Sequence, residues 1–349
     1  MEFGSIDLLV NDSDTALQTF LKLFGTNNVA QVIKLKGLKD LDNVVDGYLL
    51  KTTPVNLAIY TPRDASSPMG QHLSKHGEGI YNITLHMGQD EFEQTYLAYQ
   101  EKGMKVSPKL VYVGKFSEAV FWLEEGGPQG VPVKFATKCY HGLKLWENTE
   151  HLDTPQKFEQ IENHDQYIMP RVNLGTIMVT VSDWKNQPGI WADLLSMPAL
   201  EAGNLHTLEA GKVDDGRGNI FIPVKYRFPG NGAINLYCAI NKEAPINKVM
   251  AKRGQTVMYH NICAYVTRDR THDYWKLLEA ADFAMVDPKP MLNKNLGNAN
   301  YFYFVHPIST HGVLFEVVSA YNMDEKHNVS FDWSDSKTFM VSPEMNESK

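Results

Sequence analysis

The sequence predicts an α+β protein built from four βαβββ units in two halves, and three observations carry that prediction. A short apolar run leads into a helix signal four times along the chain. Alternating runs of antiparallel-strand type close each unit. The length of 349 residues also exceeds what one core usually fills, about 250 to 300 residues, which favours one architecture repeated.

The first unit opens with SIDLLV (5–10) and passes into NDSDTALQTFLKLFG. There Leu17, Phe20, Leu21 and Phe24 share one helical face between an Asp/Ser cap and Gly25. DGYLLKTTP and VNLAIYTP follow as strands, and MEFGS ahead of the unit reads as a cloning remnant. The second unit opens with GIYNITLHM (79–87), continues through a helix bearing Phe92, Tyr96 and Tyr99 that Gly103 stops, and closes on GVPVKFATK (130–138). The third runs from GTIMVTV (175–181) through a helix around Trp184 to Leu195 and closes on GAINLYCAI (232–240). The fourth runs from MYHNICAYV (258–266) through a helix bearing Tyr274, Leu277, Leu278 and Ala281 and closes on GVLFEVV (312–318). Residues 139–170 are polar, with an isolated Trp146, and read as a linker with room for a short helix. The expected division is an N-terminal domain at 5–138, that linker, a C-terminal domain at 171–322, and a tail at 323–349 that frays or packs as an arm.

Composition narrows the partners. An apolar fraction of 43% and a charged fraction of 21% suit a soluble globular protein, and no run approaches the roughly 18 apolar residues of a membrane helix. The net charge of −8, with no Lys/Arg cluster, offers nothing to a nucleic-acid backbone or an anionic membrane. Cys139, Cys238 and Cys263 lie far apart and form no CxxC, which fits a reducing compartment, the cytoplasm. A small-molecule partner remains. Glycine-rich phosphate loops, GxSxG and HExxH are all missing, so the commonest nucleotide, hydrolase and protease readings fall away.

The closing strand raises a chemical question. YFVHPISTHGVLFEVV (303–318) places Glu316 in an apolar strand, where an ionised carboxylate costs several kcal/mol unless something pairs with it. HGEGIYNITL (76–85) and HPISTHGVLFEVV (306–318), together with the four βαβββ units, resemble the vicinal oxygen chelate superfamily along most of residues 5–320. That superfamily includes glyoxalase I, methylmalonyl-CoA epimerase, extradiol dioxygenases and hydroxyphenylpyruvate dioxygenase. The resemblance implies two curved mixed sheets forming half-barrels. It also implies a metal ligand at the third position of a unit's first strand and another in its last strand. The fourth unit has His260 and Glu316 there.

The other units depart from the pattern, with Leu8 and Ala58, Asn82 and Lys134, and Thr176 and Leu236 at those positions. The resemblance therefore implies a metal-free N-terminal half and one divalent ion in the C-terminal half, zinc first, with manganese, nickel, cobalt or iron(II) as alternatives. His86 and His311 are candidates for a third ligand, and His306, Tyr303 and Tyr259 for proton transfer. Each has a plainer reading, since a lone strand histidine is usually a hydrogen-bonded core residue and His306-Pro307 reads as a turn. The implied function is a metal-dependent epimerase or isomerase that moves a proton next to a carbonyl, on a substrate with adjacent oxygens such as a cyclic polyol ketone of the valiolone kind. An Fe(II) ring-cleaving or 2-oxo-acid dioxygenase and a metal-free binding or resistance protein are the alternatives. A homodimer is compatible with all three.

Overall fold

The computed structural model describes residues 1–25, 29, 31–52, 55–112, 118–124, 127–137, 149–152, 176–197, 212–214, 216–229, 232–267, 270–293, 300–323, 329–331 and 339–341. In the N-terminal half the order is β1 (Glu2–Leu9), α1 (Ser13–Phe24), β2 (Gln31–Asp40), β3 (Asn43–Lys51), β4 (Asn56–Pro62) and α2 (Pro68–His76). Then come β5 (Gly79–Met87), α3 (Gln89–Glu101), β6 (Leu110–Tyr112), β7 (Glu118–Leu123) and β8 (Val133–Thr137). After β9 (Thr149–Leu152), the C-terminal half has β10 (Thr176–Val181), α4 (Gln187–Leu194), β11 (Val213–Asp214), β12 (Ile220–Arg227), β13 (Ala233–Ala239) and α5 (Pro245–Arg253). It continues with β14 (Val257–Thr267), α6 (Thr271–Ala280), β15 (Met291–Asn293), β16 (Asn300–Val305) and β17 (Leu314–Met323). β18 (Val329–Phe331) and β19 (Phe339–Val341) lie in the tail.

The four expected units are present, and their strands form two curved mixed sheets. In each unit the opening strand runs parallel to its own closing strand: β1 with β4, β5 with β8, β10 with β13, and β14 with β17. The two openings of each half pair antiparallel at the centre, β1 with β5 and β10 with β14. The helix signals hold for physical reasons. Asp12 caps α1 by accepting from the backbone N–H of Asp14 and Thr15, and Gly25 ends it at φ 75°. The buried faces of α1, α3, α4 and α6 meet the inner strands of both sheets in one continuous apolar core, where Phe24 packs on Phe315 at 5.6 Å.

Several expectations change. MEFGS is not outside the fold: residues 2–5 begin β1, and Phe3 is buried against Phe228 at 5.7 Å. β2 has no counterpart among the expected strands, although QVIKLKGLKD alternates. So did α2 and α5, which connect the two units of each half. α2 has a Ser67 cap, Pro68 at its start and Gly77 after its end, but it buries only Met69 and Gly70, so no apolar stripe announces it. Within 139–170 the described part, β9, is a strand on the edge of the first sheet rather than a helix. The rest of that segment, Trp146 included, lies outside the described residues. In the tail, β18 pairs with β17 and β19 with β12, as an arm would.

Candidate active site

The face of each sheet turned away from the shared core is set by strand alternation, and a bulge in the second opening strand of each half shifts the phase. In the C-terminal sheet Met178 pairs with Asn261, but its neighbour Val179 pairs with Tyr259, so His260 is a bulge. Before it, Val257 and Tyr259 face the core; after it, Ile262, Ala264 and Val266 do. Asn261, Cys263 and Tyr265 therefore face the opposite way. From β17, Phe315 and Val317 go to the core and Glu316 faces this inner side.

Glu316 is 9% exposed, and its Oε2 accepts hydrogen bonds from Asn261 Nδ2 at 2.8 Å and Cys263 Sγ at 2.7 Å. Lys225, on the inner face of β12 and 7% exposed, supplies the nearby positive charge. Burial raises the proton affinity of Glu316, against the bonds from Cys263 and Asn261 and the charges of Lys225 and Arg217. Burial likewise lowers the Lys225 pKa to about 8, despite attraction from Cys263 and Glu316. The Cys263 thiol is pushed up by burial and by Glu316, so it stays a proton donor.

Glu316 and Asn261 open onto a cavity of about 470 Å³ with Phe221, Tyr237, Phe302 and Phe304 among its walls. At its edge Arg217 Nη2 grips both oxygens of Asp287 at 2.5 Å, and the guanidinium lies 4.8 Å from the Phe304 ring. His260 also lines this cavity, and its Nδ1 lies 2.5 Å from Asn261 Oδ1. It thus joins the Glu316 cluster through Asn261.

The N-terminal sheet repeats this layout with other chemistry. Asp7 pairs with Asn82 and Leu8 with Ile80, which makes Tyr81 the bulge and Asp7 the inner residue. Thr84 sits opposite Lys134 in the parallel pair, as Cys263 sits opposite Glu316, so Lys134 occupies the position of Glu316. Lys134 is fully buried, 3.3 Å from Asp7 and 3.1 Å from Asp40, with its ammonium 4.7 Å from the Trp122 ring. Ser5, Asn82 and Thr84 donate to Asp7, and Trp122 Nε1 donates to Asp40. Lys134 and its two carboxylates are thus buried, and the cavity of about 410 Å³ on this half is lined by Trp122 and Tyr81 instead.

Most of the expected site residues lie elsewhere. His86 is on the N-terminal sheet, with its pKa lowered to about 4 by burial. His311 has Nδ1 3.0 Å from Glu78 Oε2 and Nε2 3.2 Å from Thr19 Oγ1, both in the N-terminal half. Tyr259 and Tyr303 face the shared core, because alternation puts their neighbours on the cavity side, and Tyr259 donates to the Pro132 carbonyl at 2.7 Å. Exposed His306 caps the turn at Pro307–Ser309 by accepting from Ile308 N–H, as the turn reading expected. Leu8 and Leu236 are core residues. Among the described residues no three His, Cys, Asp or Glu side chains gather as a metal site. The two expected ligands, His260 and Glu316, line one cavity, but their other neighbours are an amide, a protonated thiol and a lysine, and this set does not fit a divalent cation, for which three or more imidazoles, thiolates or carboxylates are the usual donors.

No family model matches the chain, and no curated protein sequence does. A mutant of 4-hydroxymandelate synthase from Streptomyces coelicolor superposes over 91% of this chain and 93% of its own, at a TM-score of 0.57 and 12% identity. The hypothetical protein BH1468 from Bacillus halodurans overlaps 44% of this chain and 96% of its own, at 0.33 and 22% identity. Methylmalonyl-CoA epimerase from Mycobacterium tuberculosis overlaps 42% of this chain and 86% of its own, at 0.33 and 19% identity. The two partial overlaps are too loose to bear on the site. With four βαβββ units, two curved sheets and a full-length structural match, the chain has the vicinal oxygen chelate fold.

Proposed function

We propose that the C-terminal cleft is the active site of an isomerase or epimerase in which Glu316 moves a proton on a small carbonyl compound. The observation that carries this reading is a buried carboxylate at the floor of an aromatic-walled cavity, held by two donors on one oxygen. Burial raises the proton affinity of Glu316 against the opposing bonds from Cys263 and Asn261 and the charge of Lys225, which makes it a stronger base than an exposed carboxylate. As a base, Glu316 takes the proton from the carbon next to the carbonyl. The C–H electron pair passes into the enolate, the proton on Glu316 exchanges with solvent, and a proton is then delivered to the other face of the same carbon or to the adjacent carbon. No electron leaves the substrate. His260, on the wall of the same cavity, donates its Nδ1–H to Asn261 Oδ1, which leaves Nε2 of the neutral ring to accept from a substrate hydroxyl. The aromatic walls suit a substrate with an apolar or ring-bearing body.

The test is proton exchange at carbon. Aryl ketones and α-hydroxyketones are incubated with the protein in D₂O, with and without a chelator, and deuterium uptake is followed by NMR. Uptake beside the carbonyl should be indifferent to chelator and oxygen and should fall by about 100-fold or more in Glu316→Gln. Ligand binding without exchange would reduce the protein to a binding module. Loss of exchange with chelator and recovery with a divalent metal would overturn the metal-free mechanism.

A further inference from the structure

The 470 Å³ cleft borders a second cavity, and the second borders a third. A second cavity of about 230 Å³ lies between the halves and shares Ile246, Val249, His260 and Leu314 with the cleft. A third, of about 410 Å³, shares His72, His76, Tyr81 and Pro132 with the second. The bulge residues of the two sheets, His260 and Tyr81, stand at the two junctions. A bulge re-aims its side chain, and here both point into the connecting space.

The two ends differ in chemistry. The cleft end is aromatic, with Val249 and Leu292 on its walls left 42% and 44% exposed. At the far end α2 presents His72 and His76 one turn apart, with rings 4.5 Å apart and His72 edge-on to Tyr81 at 4.9 Å. Arg253, the last residue of α5, lines the middle cavity, and Lys75 the third. Three carboxylates stand nearby: Asp42 lines the third cavity, and the other two are engaged. Glu78 accepts from Asn11 N–H at 2.7 Å and contacts His311, and Glu124 is paired with Lys105 at 2.9 Å. Two imidazoles, a guanidinium and an ammonium form a donor set for an anion.

We infer that the ligand of the C-terminal cleft is elongated, with an apolar or aromatic head near Glu316 and an anionic tail, phosphate or carboxylate, that passes His260 to reach His72 and His76. This deepens the reading of the cleft as the active site and rests on it. Calorimetry on the full chain, with ω-phenylalkyl phosphates of one to eight methylenes and the matching alcohols, tests it without turnover. The alcohols should bind weakly at every length, as the head alone. The phosphates should match them while short and gain about tenfold once the chain spans the cavities. The His72→Gln/His76→Gln variant should lose that gain and bind the alcohols unchanged. In the unaltered protein, the imidazole NMR signals of His72 and His76 should shift with long phosphates and not with short ones, a readout that does not depend on the variant folding. A phosphate gain that is absent, or equal at all lengths, overturns the inference. Failure of the proton-transfer reading shows separately, as binding without deuterium uptake.

Discussion

Lys134 shows what a single residue can and cannot disclose. An ammonium in the closing strand of the second unit is legible as the wrong charge for a metal ligand, and in the structure it is fully buried between Asp7 and Asp40. The two carboxylates are not legible as its partners, because Asp40 lies 94 residues away and the position expected in the first unit is Leu8, one residue beyond Asp7. In the fourth unit the expected position, His260, is the inserted bulge and Asn261 is the inner residue, since a two-residue period cannot register a bulge. Lys225 was readable on the logic that flagged Glu316, being a charged residue within the apolar strand IFIPVKYR. Replacing Lys134 with Met removes the cation and leaves two carboxylates buried against each other. That should cost about 3–5 kcal/mol in urea unfolding. An unchanged midpoint would mean that the cluster is not held by charge.

At the scale of the element, the turn before β17 explains why HPISTHG looked distinctive. His306 caps it and Thr310 Oγ1 donates to the Val313 carbonyl at 2.5 Å. Gly312 has φ 76°, and a Cβ there would stand 1.8 Å from the Glu78 carbonyl oxygen of the other half. These residues shape the contact between the halves and not a ligand set. Gly312→Ala combines a left-handed backbone with a backbone clash. It should therefore destabilise by about 2–4 kcal/mol, more than a glycine-to-alanine change at an open turn such as Gly103. Thermal unfolding of the two variants side by side checks this. The strand openings and closings were readable from alternation and the main helices from their apolar faces. α2 and α5 were not, because short helices with two or so buried side chains leave only start and stop signals.

Across the whole molecule, the division into two halves is readable from the repeats, but their energetic union is not. Both sheets and four helices contribute to one core, and Tyr274 of α6 donates to the Leu23 carbonyl of α1 at 2.7 Å. Lys102 and Asp193 tie α3 to α4 at 2.7 Å. Such a molecule should unfold as one unit. Variants keeping only Trp122, in the first sheet, or only Trp191, in the third unit, should report the same urea midpoint. Two separated midpoints would show halves that stand alone.

The opposite charges at matched positions, Lys134 in one half and Glu316 in the other, divide two vessels built on one plan. The first holds its own ammonium as a permanent tenant, gripped by Asp7 and Asp40 under the Trp122 ring. The second turns a carboxylate toward an open cavity. However alike the two sheets are, the internal symmetry of the chain does not extend to this pair of positions: a charge already neutralised by its own neighbours has nothing to offer a guest, and one that faces a cavity does.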